Sequence, residues 1–271
     1  MVDKLTKFEL KELLTKRHDR KYTYDLNILC NVGNPDLAVT DMYGYSVDND
    51  IVIVSMYWFG GCQLYFEVSD FDNLKYFYAE VEKSINEAKE ILLSSDSENL
   101  FDNPEFQRLF GKHDVNMSEQ YGMFDLKKAH KRDAQIRILT VEDESIILSF
   151  SEPFQQYHDN LRNAYETRIK TFDKNYLIYS YIENGTDILG YLIANTLNGE
   201  YWDIAYIYVA VNARGKGIAK KLVSYYAEDI TAKGRFASYG TPENMISKKV
   251  AISAGFEMFV RNYSTQWISN Q

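Results

Sequence analysis

Residues 203–222 read DIAYIYVAVNARGKGIAKKL, and how this stretch is parsed decides the fold. Asp203–Val211 is rich in β-branched and aromatic residues, a strand pattern. Both of its faces are apolar, Ala205, Ile207 and Val209 on one and Ile204, Tyr206 and Tyr208 on the other. Such a strand is central and covered on both sides. It runs into Arg214-Gly215-Lys216-Gly217-Ile218-Ala219, after which Ile218, Leu222, Tyr225 or Tyr226 and Ile230 recur at helical spacing. Unpaired backbone N–H groups at a helix start point outward, and the helix dipole favours negative charge there. Gly215 and Gly217 let an anion approach the backbone, and Arg214, Lys216, Lys220 and Lys221 surround it with positive charge. The turn reads as a pyrophosphate cradle.

Two common phosphate-binding patterns are excluded. No Gly-Lys-Ser/Thr follows at P-loop spacing. The dinucleotide fingerprint fails because Lys220 stands where the third glycine belongs, and no βαβ unit surrounds the turn.

Upstream, Asn198-Gly199 separates Ile188–Leu197 from Tyr201–Val211, and Asn184-Gly185 separates Asn175–Ile182 from the first of these. Asn-Gly between apolar runs is a strong hairpin signal, because both residues tolerate φ > 0. Residues 175–211 therefore read as a three-stranded antiparallel meander. Downstream come a short strand, Arg235–Tyr239, a helix, Glu243–Ser253, closed by Gly255, and a last strand, Phe256–Trp267.

The series Arg214, Gly217, Ala219 fits the R/Q-x-x-G-x-G/A signature of the GNAT N-acetyltransferases, and residues 134–271 resemble that family in element order. Ile136–Leu139 takes the place of the first strand, with Asp143–Phe150 and Tyr157–Thr171 as the next two helices. Asn244, Ser247 and Gly255-Phe256 match a second family pattern. The resemblance implies an α+β GNAT fold, a mixed and mostly antiparallel central sheet flanked by helices, and acetyl-CoA as co-substrate. It assigns the pyrophosphate to Arg214, Gly215, Lys216, Gly217, Ile218, Ala219 and Lys220. It sets the pantetheine arm along the central strand at Val209 and Val211, near the Asn244 amide.

The same resemblance implies direct attack of an amine on the thioester. Asp203 falls where histone-type members carry their glutamate base and, by straight alternation, shares a face with Ala205, Ile207 and Val209 on the cofactor side. The Val209 N–H is the expected oxyanion donor. The family's usual tyrosine acid is missing, since Ala251 holds its position. Ser247, Tyr239 and Tyr263 remain as donors that sequence does not separate.

The chain has 271 residues, 22 Tyr and 15 Phe, enough for a large core or two modest domains. Residues 1–126 carry 12 Lys+Arg against 23 Asp+Glu, net −11, while residues 127–271 carry 18 against 16, net +2. Overall acidity argues against nucleic acid as a partner. Nothing resembles a signal peptide or a membrane span, so a cytoplasmic protein is expected. Cys30 and Cys62 lack metal spacing, the four histidines form no ligand pattern, and no metal is expected. The basic run Lys127–Arg132 reads as a solvated linker face.

Residues 1–126 read as a separate N-terminal α+β domain. Leu5–Arg17 is a helix with Phe8, Leu10, Leu13 and Leu14 on its apolar side. Ile51–Phe59 and Gln63–Val68 form a hairpin across Gly60-Gly61. Asp70 or Ser69 then caps a long helix whose apolar stripe runs from Leu74 to Leu92, and Ser94–Pro104 reads as a loop. This order matches the middle of a GNAT fold without its cofactor turn, a degenerate GNAT-like unit. The layout also resembles two-domain zwittermicin A resistance-type acetyltransferases. The leading expectation is an acetyltransferase acting on a primary amine of a small cationic molecule, with 1–126 contributing to acceptor binding. The alternatives are a catalytically inactive CoA-binding regulatory or scaffold protein, and a tandem aminoacyl transferase using charged tRNA. The acidic N-terminal half and the intact turn speak against the latter.

Overall fold

The computed structural model describes residues 2–17, 39–125, 133–150, 155–196, 199, 201–240, 242 and 244–267. Two compact units make up the chain, Met1–Ser118 with Val260–Gln271, and Glu119–Phe259. The expected division at 1–126 and 134–271 places two segments differently. The start of the second unit is strand residues 119–122, and the chain's last strand returns to the first unit. Cys30 and Lys127–Arg132 lie outside the described residues.

In the first unit, β1 (Asp3–Leu5) and α1 (Lys7–Arg17) precede an antiparallel meander of β2 (Val39–Val47), β3 (Asp50–Tyr57) and β4 (Gly61–Glu67). A 3-10 turn, Phe71–Asn73, capped by Asp70, leads into α2 (Leu74–Glu87). Next come β5 (Glu90–Ser95), α3 (Asn99–Asp102) and α4 (Pro104–Phe110). β5 runs parallel to β4 and pairs antiparallel with Tyr263–Trp267 on its other side.

Four expectations for this unit are corrected. Phe8 is 75% exposed, and α1 buries Leu10 and Leu14 instead. The helical stripe stops at Glu87, because Ala88 turns extended and Lys89 N–H bonds the Gly60 carbonyl at 2.8 Å. Beyond it Ile91 and Leu93 are buried while Leu92 is 39% exposed, the two-residue period of a strand. Ser94–Pro104 is not a loop: Asn103 caps α4 through Glu105 N–H (2.9 Å) and Phe106 N–H (3.1 Å), with Pro104 in the first turn. β2 is the fourth difference, a strand absent from the sequence reading.

The second unit begins in β6 (Asn116–Gly122) at Glu119. It continues through β7 (Ile136–Ile138), α5 (Glu144–Ser149) and α6 (Gln155–Ala164), the last running into a π-helical turn, Tyr165–Ile169. β8 (Tyr176–Glu183), β9 (Asp187–Thr196) and β10 (Tyr201–Val209) form the expected antiparallel meander. Asn184 and Gly185 both take positive φ, 52° and 80°, as an Asn-Gly turn requires. α7 (Ile218–Ala232), β11 (Phe236–Gly240) and α8 (Met245–Ser253) follow, and β12 (Glu257–Trp267) ends the described chain. β11 is parallel to β10 and antiparallel to residues 121–122 of β6.

The two units share one strand plan. Each has four antiparallel strands, then a helix, then a fifth strand parallel to the fourth, with an antiparallel strand beyond it. The chain is a structural duplication that no sequence repeat betrays. In the second unit one core lies between the sheet and α7/α8, with Trp202, Ile204, Leu222, Tyr226, Tyr239 and Ala251. A second lies on the α5/α6 side, with Ile147, Leu161, Ile178 and Tyr191.

Candidate active site

The site is built where β10 and β11 part. Their parallel pairing holds for three residues, Tyr201↔Phe236 to Asp203↔Ser238, and then stops. β10 keeps its other neighbour, β9, through Val209↔Gly190. Among the described residues, 204–209 therefore present a strand edge with no ladder partner. Ala210 N–H bonds the Leu189 carbonyl at 2.9 Å. Antiparallel alternation then turns the N–H groups of Val209 and Ile207 toward that free edge. Tyr226 pins the fork, its buried hydroxyl donating to the carbonyls of Trp202 (2.7 Å) and Ser238 (3.0 Å), one from each strand.

β10 carries a bulge. Ile204 pairs with Ala194 and Tyr206 with Ile193, so Ala205 is an extra residue. The alternation flips across it. Ile207 and Val209 pack with Trp202 and Ile204 on the α7/α8 side, and Tyr206 and Tyr208 face the α5/α6 core. Asp203 therefore does not share a face with Ile207 and Val209, which corrects the straight alternation read from sequence.

Past Val209 the chain makes a 3-10 turn, Val211–Ala213, and reaches Arg214, whose Nε donates to the Val209 carbonyl at 3.2 Å. Gly215 and Gly217 are left-handed, φ 79° and 76°, and a Cβ on either would point into open space. Gly217 caps α7 without any side-chain bond. The first helical bond is Lys221 N–H to Gly217 O, 3.1 Å. Among the described residues the N–H groups of residues 215–220 have no partner. They form a run of donors at the positive end of a fifteen-residue helix. Lys216 and Lys220 beside it make no ion pair among the described residues. Lys221 is withdrawn, paired with Asp133 at 2.9 Å and lying over the Tyr181 ring. These residues fit a pyrophosphate, and the free edge of β10 fits an extended amide-bearing arm. Asn244 caps α8 by accepting from Ile246 and Ser247 N–H (3.0 and 2.9 Å), which leaves its NH₂ for other contacts.

Asp203 sits at the fork, on the face away from α7. Its Oδ1 is buried without a hydrogen-bond partner. Burial pushes the carboxyl up to about 6, with the Ser238 hydroxyl and Ile204 N–H pulling it back. Tyr239, on the opposite face and just past the last β10–β11 pair, has a buried hydroxyl that makes no hydrogen bond. Burial pushes it up to about 12, the Ser247 hydroxyl acting the other way. Tyr263 belongs to the first unit, paired with Ser95.

The equivalent place in the first unit is closed. β4 and β5 pair over six residues, Gly61↔Glu90 to Phe66↔Ser95, so no edge is freed. At the turn into α2 the Asp50 carboxylate, 2% exposed, accepts from Ser69 N–H (2.8 Å), Ser69 Oγ (2.7 Å), Asp70 N–H (3.1 Å) and Asn73 Nδ2 (2.9 Å). Burial raises that carboxyl, but the four bonds more than offset it and hold it below the usual range. A side-chain anion fills the nest. A cavity of about 370 Å³ elsewhere in this unit, beside Lys7, Asp41 and Tyr43, has much of its polar lining satisfied internally, by Lys7–Asp41 (3.3 Å) and Tyr43–Ser84 (2.6 Å). Cys62 is buried, and burial pushes its thiol up to about 12, as suits an inert core residue. Among the described residues no three His, Cys, Asp or Glu side chains gather as a metal site. No described helix is long and apolar enough to cross a membrane.

A freed central-strand edge running into a glycine turn with unpartnered N–H groups fits the arm and pyrophosphate of an acyl-CoA. Residues 139–256 match the acetyltransferase (GNAT) family, and the C-terminal half of the chain belongs to that family of N-acetyltransferases. Over the whole chain the fold is similar to that of a GNAT-family acetyltransferase from Colwellia psychrerythraea (18% identity, TM-score 0.56, covering 99% of this chain and 100% of that one). It is also similar to a tandem GNAT protein from the clavulanic acid biosynthesis pathway (12% identity, TM-score 0.53, 100% of both chains). A third likeness is to a GCN5-related N-acetyltransferase from Sphaerobacter thermophilus (11% identity, TM-score 0.53, 98% and 94% covered). No curated protein matches the chain.

Proposed function

We propose that the protein transfers an acetyl group from acetyl-CoA to a primary amine of a small cationic molecule, one acetyl-CoA per chain. The buried Asp203 carboxylate at the fork, with its Oδ1 unpartnered, carries this reading. An alkylamine near pKa ~10 is mostly protonated at neutral pH, so a base must ready it for attack. A carboxyl pushed up to about 6 is ionised at pH 7 yet basic enough for that task.

Acetyl-CoA supplies the activated acetyl thioester. Residues 215–220 would hold its pyrophosphate through backbone N–H groups, helped by Arg214, Lys216 and Lys220. Val211 and Asn244 flank the arm's path along β10. Asp203 takes the ammonium's proton, the freed lone pair of that nitrogen bonds to the acetyl carbon, and the second proton that the nitrogen sheds on becoming an amide leaves to water. The Val209 N–H, aimed at the free edge, donates to the carbonyl oxygen as it gains charge. The carbon–sulfur bond breaks, and Tyr239 gives its proton to the departing sulfur, the part that Ala251 cannot play. The net −11 on residues 1–126 supports a cationic acceptor through its long-range field.

Thiol release from acetyl-CoA with a panel of diamines, polyamines, aminoglycosides and amino-acid amides tests the reading. Amine-dependent release is expected. Binding of acetyl-CoA with no release for any amine would favour a CoA-binding regulatory protein instead.

A further inference from the structure

Gln120 has no place in the mechanism so far, yet its Oε1 is buried without a hydrogen-bond partner, like Asp203 Oδ1. The two residues share a sheet face. Tyr121 and Met123 belong to the α7/α8 core, so Gln120 and Gly122 point the other way. Asp203 pairs with Ser238 and Ser238 with Gly122, and the β11–β6 register then shifts between Ser238 and Gly240. Gly240 pairs with Tyr121 and is therefore Gln120's neighbour on β11. It carries no side chain, and a Cβ there would lie 2.8 Å from Asp203 Oδ2 and 3.0 Å from Oδ1. The carboxylate leans across the bare glycine toward the strand that bears Gln120.

A buried acceptor with no donor is costly, and two on one face call for a ligand that brings two donors. We propose that Asp203 Oδ1 and Gln120 Oε1 together hold the acceptor's amino nitrogen, one N–H to each, so that the site selects primary over secondary amines. A neutral primary amine fills both acceptors. A secondary amine has one N–H, which Asp203 needs, and strands Gln120. Gln120 is thus a specificity-determining residue, and the inference rests on the acetyl-transfer reading above.

The test compares the most active primary amine of the panel with its N-methyl derivative, in wild type, Gln120→Leu and Gln120→Glu. A stranded buried acceptor corresponds to roughly a 5- to 150-fold loss, so wild type should prefer the primary amine by at least about fivefold in kcat/KM. Gln120→Leu should raise KM for the primary amine by about the same factor, leave kcat within about twofold, and erase the preference. Gln120→Glu keeps an acceptor and should keep the preference, which guards against a leucine variant that fails to fold. Equal wild-type rates for the two amines, or a leucine variant with unchanged KM, overturns the inference alone. No turnover of either amine by wild type overturns the acetyl-transfer reading and the inference with it.

Discussion

Asp203→Asn should make the protein more stable and less active at once. The folded protein holds the Asp203 proton up to about pH 6, whereas an unfolded aspartate releases it near pH 3.9. Below about pH 4 both states are protonated and the site is neutral in its effect on stability. Between about pH 4 and 6 the folded state binds more protons than the unfolded one, so stability falls as pH rises. Above about pH 6 the full penalty of a buried carboxylate is present: about two powers of ten in proton affinity at ~1.4 kcal/mol each, or ~3 kcal/mol. Asparagine never ionises and can still accept from the Ile204 N–H. Urea denaturation of both proteins at pH 4, 5.5 and 7.5 reads the difference, in which all other titrations cancel. The variant should gain up to ~3 kcal/mol at pH 7.5, roughly 6–12 °C in Tm for a chain of this size, and little at pH 4. Its turnover should collapse, and wild-type kcat/KM should rise with pH through about 6 as the base ionises. A variant no more stable than wild type at pH 7.5, or a gap unchanged at pH 4, refutes the account of Asp203 as a strained buried base.

Replacing Gly217 with Val forces a β-branched residue into left-handed backbone, which costs ~1–2 kcal/mol, and should abolish acetyl-CoA stabilisation, ~2.7 kcal/mol in wild type at a hundredfold excess over Kd; a retained shift in melting temperature counts against the cradle. Asp50→Asn removes one oxygen that takes two of four bonds, so the fold should lose roughly 2–4 kcal/mol at ~1–3 kcal/mol per stranded donor, measurable in urea. Because the folded Asp50 carboxyl is depressed, its contribution is present above about pH 4 and fades below that as it protonates, and a variant as stable as wild type at pH 7 would remove it as the nest's anion. Tyr239→Phe should lower kcat toward a hundredfold with acetyl-CoA binding intact, and an acetyl thioester of a more acidic thiol should recover much of the loss; unchanged kcat would return the acid to Ser247 or solvent.

The second unit was legible where local chemistry decides structure. Asn184-Gly185 needs two positive φ values and has them, and the α7 stripe buries Ile218, Leu222, Tyr226 and Ile230 as its spacing demands. The Ala205 bulge was not legible, because both faces of β10 are apolar and an alternation apolar on both sides does not reveal where its phase slips. Only the pairing with Ala194 and Ile193 fixes it. β5 was hidden by coincidence, since Ala88 and Leu92 continue a helical four-residue step while Ile91 and Leu93 begin a two-residue one. Asn103-Pro104 carried a helix signal, a cap followed by a first-turn proline, that a reading of Ser94–Pro104 as a loop passes over. Asp50 and Gln120 gave no local signal. Each matters through residues that are distant in sequence, Ser69 to Asn73 for one, and Asp203 with Gly240 for the other.

The duplication shows what separates a binding unit from a filled one. Both units carry a parallel fourth and fifth strand with a helix start between them, and both must satisfy the N–H groups that this turn exposes. The first unit does so internally: six strand pairs use up the edge, and Asp50 supplies a permanent anion. The second stops pairing after three, leaves residues 215–220 without partners among the described residues, and holds a carboxylate, a phenol and a glutamine amide that are buried with unpartnered atoms. Such groups lower stability and persist where a ligand or a reaction completes them. Three of the buried unpartnered atoms, Asp203 Oδ1, Gln120 Oε1 and the Tyr239 hydroxyl, gather about the β10–β11 fork, and that grouping supports the proposed site more than the glycine turn alone does.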